Sequence, residues 1–268
     1  MRRLAVLAVL LTLASMPVVA GDLDLHVGAG PSMATLGELN TVVSRFDAII
    51  AVLDEFFDQL DEVQGTVGPI GRAGRGLSLS AGERYWLTER FALGGEVSYF
   101  GSSEGTSGIY TSKQGAEGTQ STIDIQLRSR LLSAALETQL VFLNADLTLG
   151  AVMRLGYHYA SLDVFSLFEI PAEYPDVLAG VPADIDDRFV GGAFGGELGL
   201  TVRYPLFPWL HGHAEVTYRY VPLRVTNAEG FHLDLDGNGT PEQIDLGGFT
   251  VRLGLSVRVD LSDEGRKE

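Results

Sequence analysis

The chain contains no cysteine and only two lysines, Lys113 and Lys267. Without cysteine there are no disulfides, no thiol chemistry and no lipid-modified cysteine to serve as an anchor. Beyond residue 20 no apolar run approaches the roughly 20 residues that a membrane-spanning helix needs. That excludes helical spans but leaves a membrane barrel open, because barrel strands need only alternate. Basic residues are also scarce, with 19 Lys and Arg against 35 Asp and Glu. This balance argues against nucleic acid or another polyanion as the partner of the chain as a whole.

What is present begins with an export signal. Residues 1–20, MRRLAVLAVLLTLASMPVVA, carry two arginines, a short apolar run and Val18-Val19-Ala20 ahead of Gly21. Charged head, apolar middle and small-residue cleavage site define a secretory signal peptide. The rest, 21–268, has 17 basic and 35 acidic residues, a formal charge of −18.

Alternation dominates the remainder. In 147–159 one face reads Leu147, Leu149, Ala151, Met153, Leu155, Tyr157, Tyr159, and the other Thr148, Gly150, Val152, Arg154, Gly156, His158. Segments 23–32, 91–99, 189–204, 209–223 and 249–261 behave alike. Segments 73–86 and 122–142 alternate less cleanly, and each is expected to carry a bulge, the second near Leu131–Ser133. These segments make eight strands. Their connections alternate between long (33–71, 102–121, 163–188, 226–246) and tight (Leu87–Arg90, Leu143–Asp146, Pro205–Pro208). Tight turns at one rim and long loops at the other mark outer-membrane barrels.

Aromatic residues test this independently. Tyr85, Trp86, Phe91, Phe142, Tyr204, Phe207 and Trp209 fall at the short-turn ends. Tyr99, Phe100, Tyr157, Tyr159, Phe189, Tyr218, Tyr220 and Phe249 fall at the long-loop ends. Two girdles around an aliphatic band fit headgroup levels on either side of hydrocarbon. A soluble lipocalin-type barrel has no reason to ring both rims this way. The expected fold is therefore all-β: an eight-stranded antiparallel transmembrane β-barrel over 21–261, with 262–268 a short charged periplasmic tail. In this architecture the chain resembles the small outer-membrane barrels typified by the OmpA membrane domain, OmpX and OmpW. The resemblance implies a bacterial outer-membrane location in contact with outer-membrane lipid. It departs from that pattern at its last strand, which reaches Leu261 and continues as SDEGRKE instead of ending on an aromatic residue.

One long amphipathic helix is expected after the first strand, about 34–64. Apolar residues at 36, 39, 43, 46, 50, 53, 57 and 60 form a heptad seam over 36–63. The seam would pack on loops or the barrel rim, or else support self-association. With Arg45 as its sole basic residue, the helix suits a membrane surface less well.

The inward-facing positions are expected to hold a lumen ion-pair network: Asp24, Glu96, Asp124, Arg128, Arg130, Arg154, Glu197, Arg203, Glu215, Arg219, Arg252 and Arg258, with His26, His158, His211 and His213. An eight-stranded barrel is just wide enough to be filled by side chains, so these charges must pair across it. A narrow gated pore from the same residues is the alternative. The column His211, His213, Glu215 has strand spacing for zinc but lacks an evident further ligand. Enzymatic candidates near the outer rim are His158, Ser161, Asp163 and His232, and they form no organised nucleophile–base set.

The most specific motif is DLDGNGTPEQID, which matches the EF-hand loop pattern except for Asp245 at its last position. Its spacing lets Asp234, Asp236, Asn238, the Thr240 carbonyl, Glu242 and Asp245 converge on Ca2+. The four long connections together carry the net charge of −18, so divalent cations are expected partners of loops 163–188 and 226–246. The functional expectation is a non-catalytic barrel with a structural or surface-interaction role. A narrow pore, or an OmpW-like conduit for small molecules, is the alternative; a lipid-modifying enzyme comes third.

Overall fold

The computed structural model describes residues 22–35, 38–59, 63–70, 74–112, 120–169, 185–232 and 243–261. In chain order the elements are β1 (Asp22–Ala34), α1 (Glu38–Asp58), β2 (Val63–Gln64), β3 (Arg75–Thr88), β4 (Phe91–Ser112), β5 (Gln120–Asn144), β6 (Thr148–Glu169), β7 (Ile185–Phe207), β8 (Leu210–Tyr220), β9 (Pro222–Arg224), β10 (Gln243–Asp245) and β11 (Gly248–Asp260). Eight of these form a ring in the order β4-β3-β1-β11-β8-β7-β6-β5, closed by pairing of β5 with β4. Every pair in the ring is antiparallel. The register runs from Gly199 through Thr217, Thr250, Ser32, Gly76, Ser102, Ser129 and Leu162 back to β7 at Phe189, ten residues away. With that stagger, strands tilt by roughly 40° and the ring leaves no open edge.

The outer wall is apolar where a soluble protein would be polar. Leu155, Leu198 and Leu253 are 59%, 63% and 67% exposed, and Leu25, Val27, Leu79, Leu136, Leu200, Val216 and Leu255 continue the band round the ring. A contiguous belt of this size needs a hydrocarbon partner. Exposed aromatics bound it: Tyr99, Tyr157, Tyr159, Phe194, Tyr218, Tyr220 and Phe249 above, Phe142, Tyr204, Phe207 and Trp209 below. Three residues assigned to the girdles by sequence turn inward instead. Trp86, Phe100 and Phe189 are all buried, because each fills lumen space beside an arginine or under the cap described below. One outward strand acid, Glu83, interrupts the belt: it pairs with Leu25 on β1 and with Gly95 on β4, in the row that continues to Leu136 and Leu155.

Four of the strands, β4–β7, outlast the belt. At about 3.3 Å per residue, the 25-residue β5 runs roughly 80 Å along its length, far more than a tilted strand needs to cross a band about 25 Å tall. Much of the expected loops 102–121 and 163–188 is therefore strand: β4 continues to Ser112, β6 to Glu169, and β7 begins at Ile185.

No bulge interrupts β5 at Leu131–Ser133. Its register with β4 is continuous from Phe91↔Leu140 to Thr111↔Gln120. The shifts lie instead beside the tight turns, at Trp86/Thr88, Val141/Leu143 and Pro205/Phe207. What changes near Leu131 is the surroundings. Below that point β5 points Leu132, Leu136, Leu140 and Phe142 outward and Ser133, Glu137 and Gln139 inward. Above it, Ile123, Ile125 and Leu127 are buried inside, while Asp124, Gln126, Arg128 and Arg130 line the outer wall. Strand β5 thus belongs to a closed, lipid-facing barrel in its lower part; above Gly76, Ala34, Gly248 and Tyr220 only β4–β7 continue, as a four-stranded wall with a water-facing outer side.

The upper interior is filled by a cap. Val43 and Ile50 of α1, Val67 and Ile70 of the segment after β2, and Val221, Leu223, Val225, Ile244 and Leu246 around the β9–β10 hairpin pack against Phe100, Ile123, Ile125, Leu127, Leu131, Leu162 and Phe189. The chain leaves the ring after Tyr220, so the strand expected over 209–223 ends there and its continuation turns inward. Asp47 and Asp54 of α1 accept hydrogen bonds from the backbone N–H groups of Ile70 (2.7 Å) and Val67 (3.2 Å). Seam positions Val43 and Ile50 thus lie in the protein's own core, on the loop-and-rim side of the two placements expected for the helix.

Candidate functional site: a charged layer across the lumen

Each of the eight ring strands sends one residue into a single buried layer. They are His26 (β1), Arg84 (β3), Glu96 (β4), Glu137 (β5), Arg154 (β6), Glu197 (β7), Glu215 (β8) and Arg252 (β11). Arg154 is the hub. Its Nε donates to Glu137 (2.7 Å), its NH1 to Glu197 and Glu215 (2.8 Å each) and its NH2 to Glu215 (2.7 Å). The same NH2 stands 3.0 Å from Glu96. Arg252 donates to Glu96 (2.8 Å) and Glu197 and lies 2.8 Å from Glu215. Arg84 donates to Glu137 and lies 3.7 Å from Glu215. His26 Nε2 is 3.4 Å from Glu96, and Gly82 makes room for the ring, since a Cβ there would stand 2.7 Å from His26 Cε1.

The strand register explains the convergence. Glu137, Arg154 and Glu197 are direct cross-strand partners, as are Glu215 and Arg252. Inside so narrow a ring, these rows meet at the axis. Buried carboxylates and guanidiniums persist only with partners of this quality, and the planar fork of arginine allows one side chain to serve several acids.

A second closure lies toward the tight-turn rim. Asp24, with no exposed surface, pairs with Arg203 NH2 at 2.8 Å and accepts the Trp86 indole N–H. The Arg203 and Arg258 guanidiniums lie 5.3 and 5.5 Å from the Trp86 ring centroid, and Arg258 also reaches Asp24 (3.4 Å) and Asp22 (3.6 Å). Above the main layer, Arg219 lies over Phe100 (5.3 Å) and donates its Nε to the Leu246 carbonyl (3.1 Å). It joins the polar layer to the apolar cap.

Of the residues assigned to the lumen from sequence, the structure brings Glu96, Arg154, Glu197, Glu215 and Arg252 into the layer, puts Asp24, Arg203 and Arg258 below it and Arg219 above it. Asp124, Arg128 and Arg130 are a correction. They face outward on upper β5, where the interior is already apolar and a charge would be stranded. Sequence reasoning missed Arg84 and Glu137, on the two strands with the least regular alternation. The signal available was parity counted upward from Phe142 and Leu140, which places Glu137 inside.

The metal candidates divide. Among the described residues, one group offers three ligand atoms within 4.8 Å of one another: His26, Glu96 and Glu137, not the His211, His213, Glu215 column. Its carboxylates are held by Arg84, Arg154 and Arg252, so a cation would have to displace guanidiniums. Asp234, Asp236, Asn238, Thr240 and Glu242 lie outside the described residues. Asp245 is tied locally: Oδ1 accepts the Gly247 N–H (2.7 Å) and Oδ2 the Thr35 hydroxyl (3.1 Å). The enzymatic candidates do not meet. His158 pairs inside with Ser133 (2.7 Å), whereas Asp163 faces outward between Arg130 and Arg188.

No known protein family and no curated protein matches the sequence. Solved structures do show similarity. A major outer membrane protein from Thermus thermophilus aligns over 90% of this chain and 100% of its own, at 12% identity and a TM-score of 0.43. OprG from Pseudomonas aeruginosa aligns over 90% and 96%, at 11% identity and 0.41. AlkL, solved in lipid bilayers, aligns over 95% and 96%, at 16% identity and 0.37. These are outer-membrane proteins. On its own geometry, with a closed ring, an apolar belt and aromatic rims, the chain is a small eight-stranded β-barrel of the transmembrane type.

Proposed function

We propose that this chain is a sealed outer-membrane barrel with a role at the cell surface, not in catalysis or free passage of solutes. The observation that carries this is the eight-residue layer, to which every ring strand contributes and in which Arg154 touches all four glutamates. Above it the lumen is occupied by α1 and the β9–β10 hairpin. The signal-type residues 1–20 support export, and the acidic upper connections support an outward-facing interactive surface. Purified protein in a planar bilayer should show no single-channel steps at moderate voltage. Regular openings of uniform conductance would overturn the sealed reading.

A second reading rests on a different feature. The interior above the layer, lined by Ile123, Ile125, Leu127, Leu131, Leu162 and Phe189, has the chemistry of a greasy chamber. If α1 and the hairpin swing out, it becomes a conduit for small apolar molecules. Uptake of an apolar solute into proteoliposomes, without ion conductance, would favour that reading.

Calcium at Asp234–Asp245 belongs to the same proposal, with Asp245 sharing its oxygens with Thr35 and Gly247. Calcium removal should lower the unfolding temperature and open the 226–246 connection to protease. If a chelator changes neither, calcium has no structural role there.

A further inference from the structure

The sequence is acidic overall, yet the outer wall just above the upper girdle carries a cluster of arginines. Two register rows fix its place. Leu132 pairs with Tyr159 at the girdle; the next outward row is Arg130↔Ser161, and the one after is Arg128↔Asp163↔Arg188. Three adjacent strands, β5, β6 and β7, thus present Arg130, Arg128 and Arg188 around a single acid, Asp163. Arg130 and Arg188 each lie 3.4 Å from Asp163, and their side chains remain 41% and 61% exposed. Arg128 is exposed and donates to Gln126 (3.3 Å). Among the described residues, the further outward acids on these strands, Asp186 and Asp124, come in the rows above, alongside Gln126. Charge is therefore layered along the wall: hydrocarbon belt, then arginine, then acid.

We infer that Arg128, Arg130 and Arg188 form a binding site for the phosphate groups of phosphorylated glycolipid in the outer leaflet. Three guanidiniums against one carboxylate leave net positive charge at headgroup height, where arginine forks match phosphate oxygens and the neighbouring Leu132 and Tyr159 meet acyl chains. The acids above would repel a soluble polyanion approaching from the medium. A lipid phosphate arrives from below, along the belt, and escapes that repulsion. The site rests on the outer-membrane reading and adds a lipid class to it.

The test uses the full chain in phosphatidylcholine nanodiscs doped with diphosphoryl lipid A, or with the same lipid dephosphorylated. Lipid retained by the protein is counted by native mass spectrometry. Wild type should retain the phosphorylated form at least about tenfold more strongly, and Arg128→Ala/Arg130→Ala/Arg188→Ala should lose that preference. Arg224→Ala, another exposed arginine, should keep it. Equal retention of both lipids by wild type overturns the site without needing any variant, as does undiminished preference in the triple variant. A heat-modifiable gel shift run in parallel reports barrel insertion. Loss of that shift in wild type would instead count against the membrane reading on which the site stands.

Discussion

Arg154→Ala should destabilise the barrel by about 3–5 kcal/mol, the range for breaking a buried ion pair by removing one partner. The variant leaves the four buried glutamates Glu96, Glu137, Glu197 and Glu215 with Arg84 and Arg252 as their guanidinium partners within the layer, beside His26. No neighbour can take over the hub position, because the cross-strand register fixes which side chains reach the axis. Urea titration of the inserted protein, followed by tryptophan fluorescence, measures the loss. Trp86 is a suitable reporter, since it sits in the second closure beside Arg203 and Arg258. A change below about 1 kcal/mol would mean that the layer is hydrated and that Arg154 is not its keystone.

The second large effect concerns the outside of the ring. Leu253 is 67% exposed, and in a water-soluble protein Leu253→Arg would be close to neutral or would improve solubility. On a lipid-facing wall the same change should cost about 2–4 kcal/mol at the bilayer midplane. Arg128→Leu, on the upper outer wall, should have little effect on folding. Opposite responses to an exposed leucine and an exposed arginine follow directly from the two environments of one barrel. Equal tolerance at both positions would remove the case for hydrocarbon around Leu253.

The lower barrel was legible in the sequence because lipid outside and charge inside impose a clean period of two. Met153, Leu155 and Tyr157 alternate with Val152, Arg154 and Gly156 for that reason, and their faces follow at sight. The upper wall, formed by β4–β7, was less so. Asp124, Arg128 and Arg130 share a strand with Glu137 but point the other way, since the cap makes the upper interior apolar. Nothing local in 122–142 says where the membrane stops, and the inverted pattern imitates a bulge. Trp86 and Phe100 misled for a related reason. An aromatic near a rim fits the girdle equally well as the lumen, where an arginine stacks on it. The layer's membership depended on long-range register, so Arg84 and Glu137 could not be joined to Arg154 until the strands were paired. Val43 and Ile50 were visible as a helical seam, but their partners in the hairpin lie far along the chain.

The native chain lacks cysteine, which makes single-cysteine labelling along β5 the most direct test of this inversion. Cysteines placed one at a time from 124 to 140 would be exposed to a water-soluble maleimide in lipid bilayers. Positions 124, 126, 128 and 130 should label, while 125 and 127 in the cap and 132, 136 and 140 in the belt should not. Labelling at 125 and 127 with protection at 128 and 130, or free labelling at 136, would contradict a wall that changes environment near Leu131.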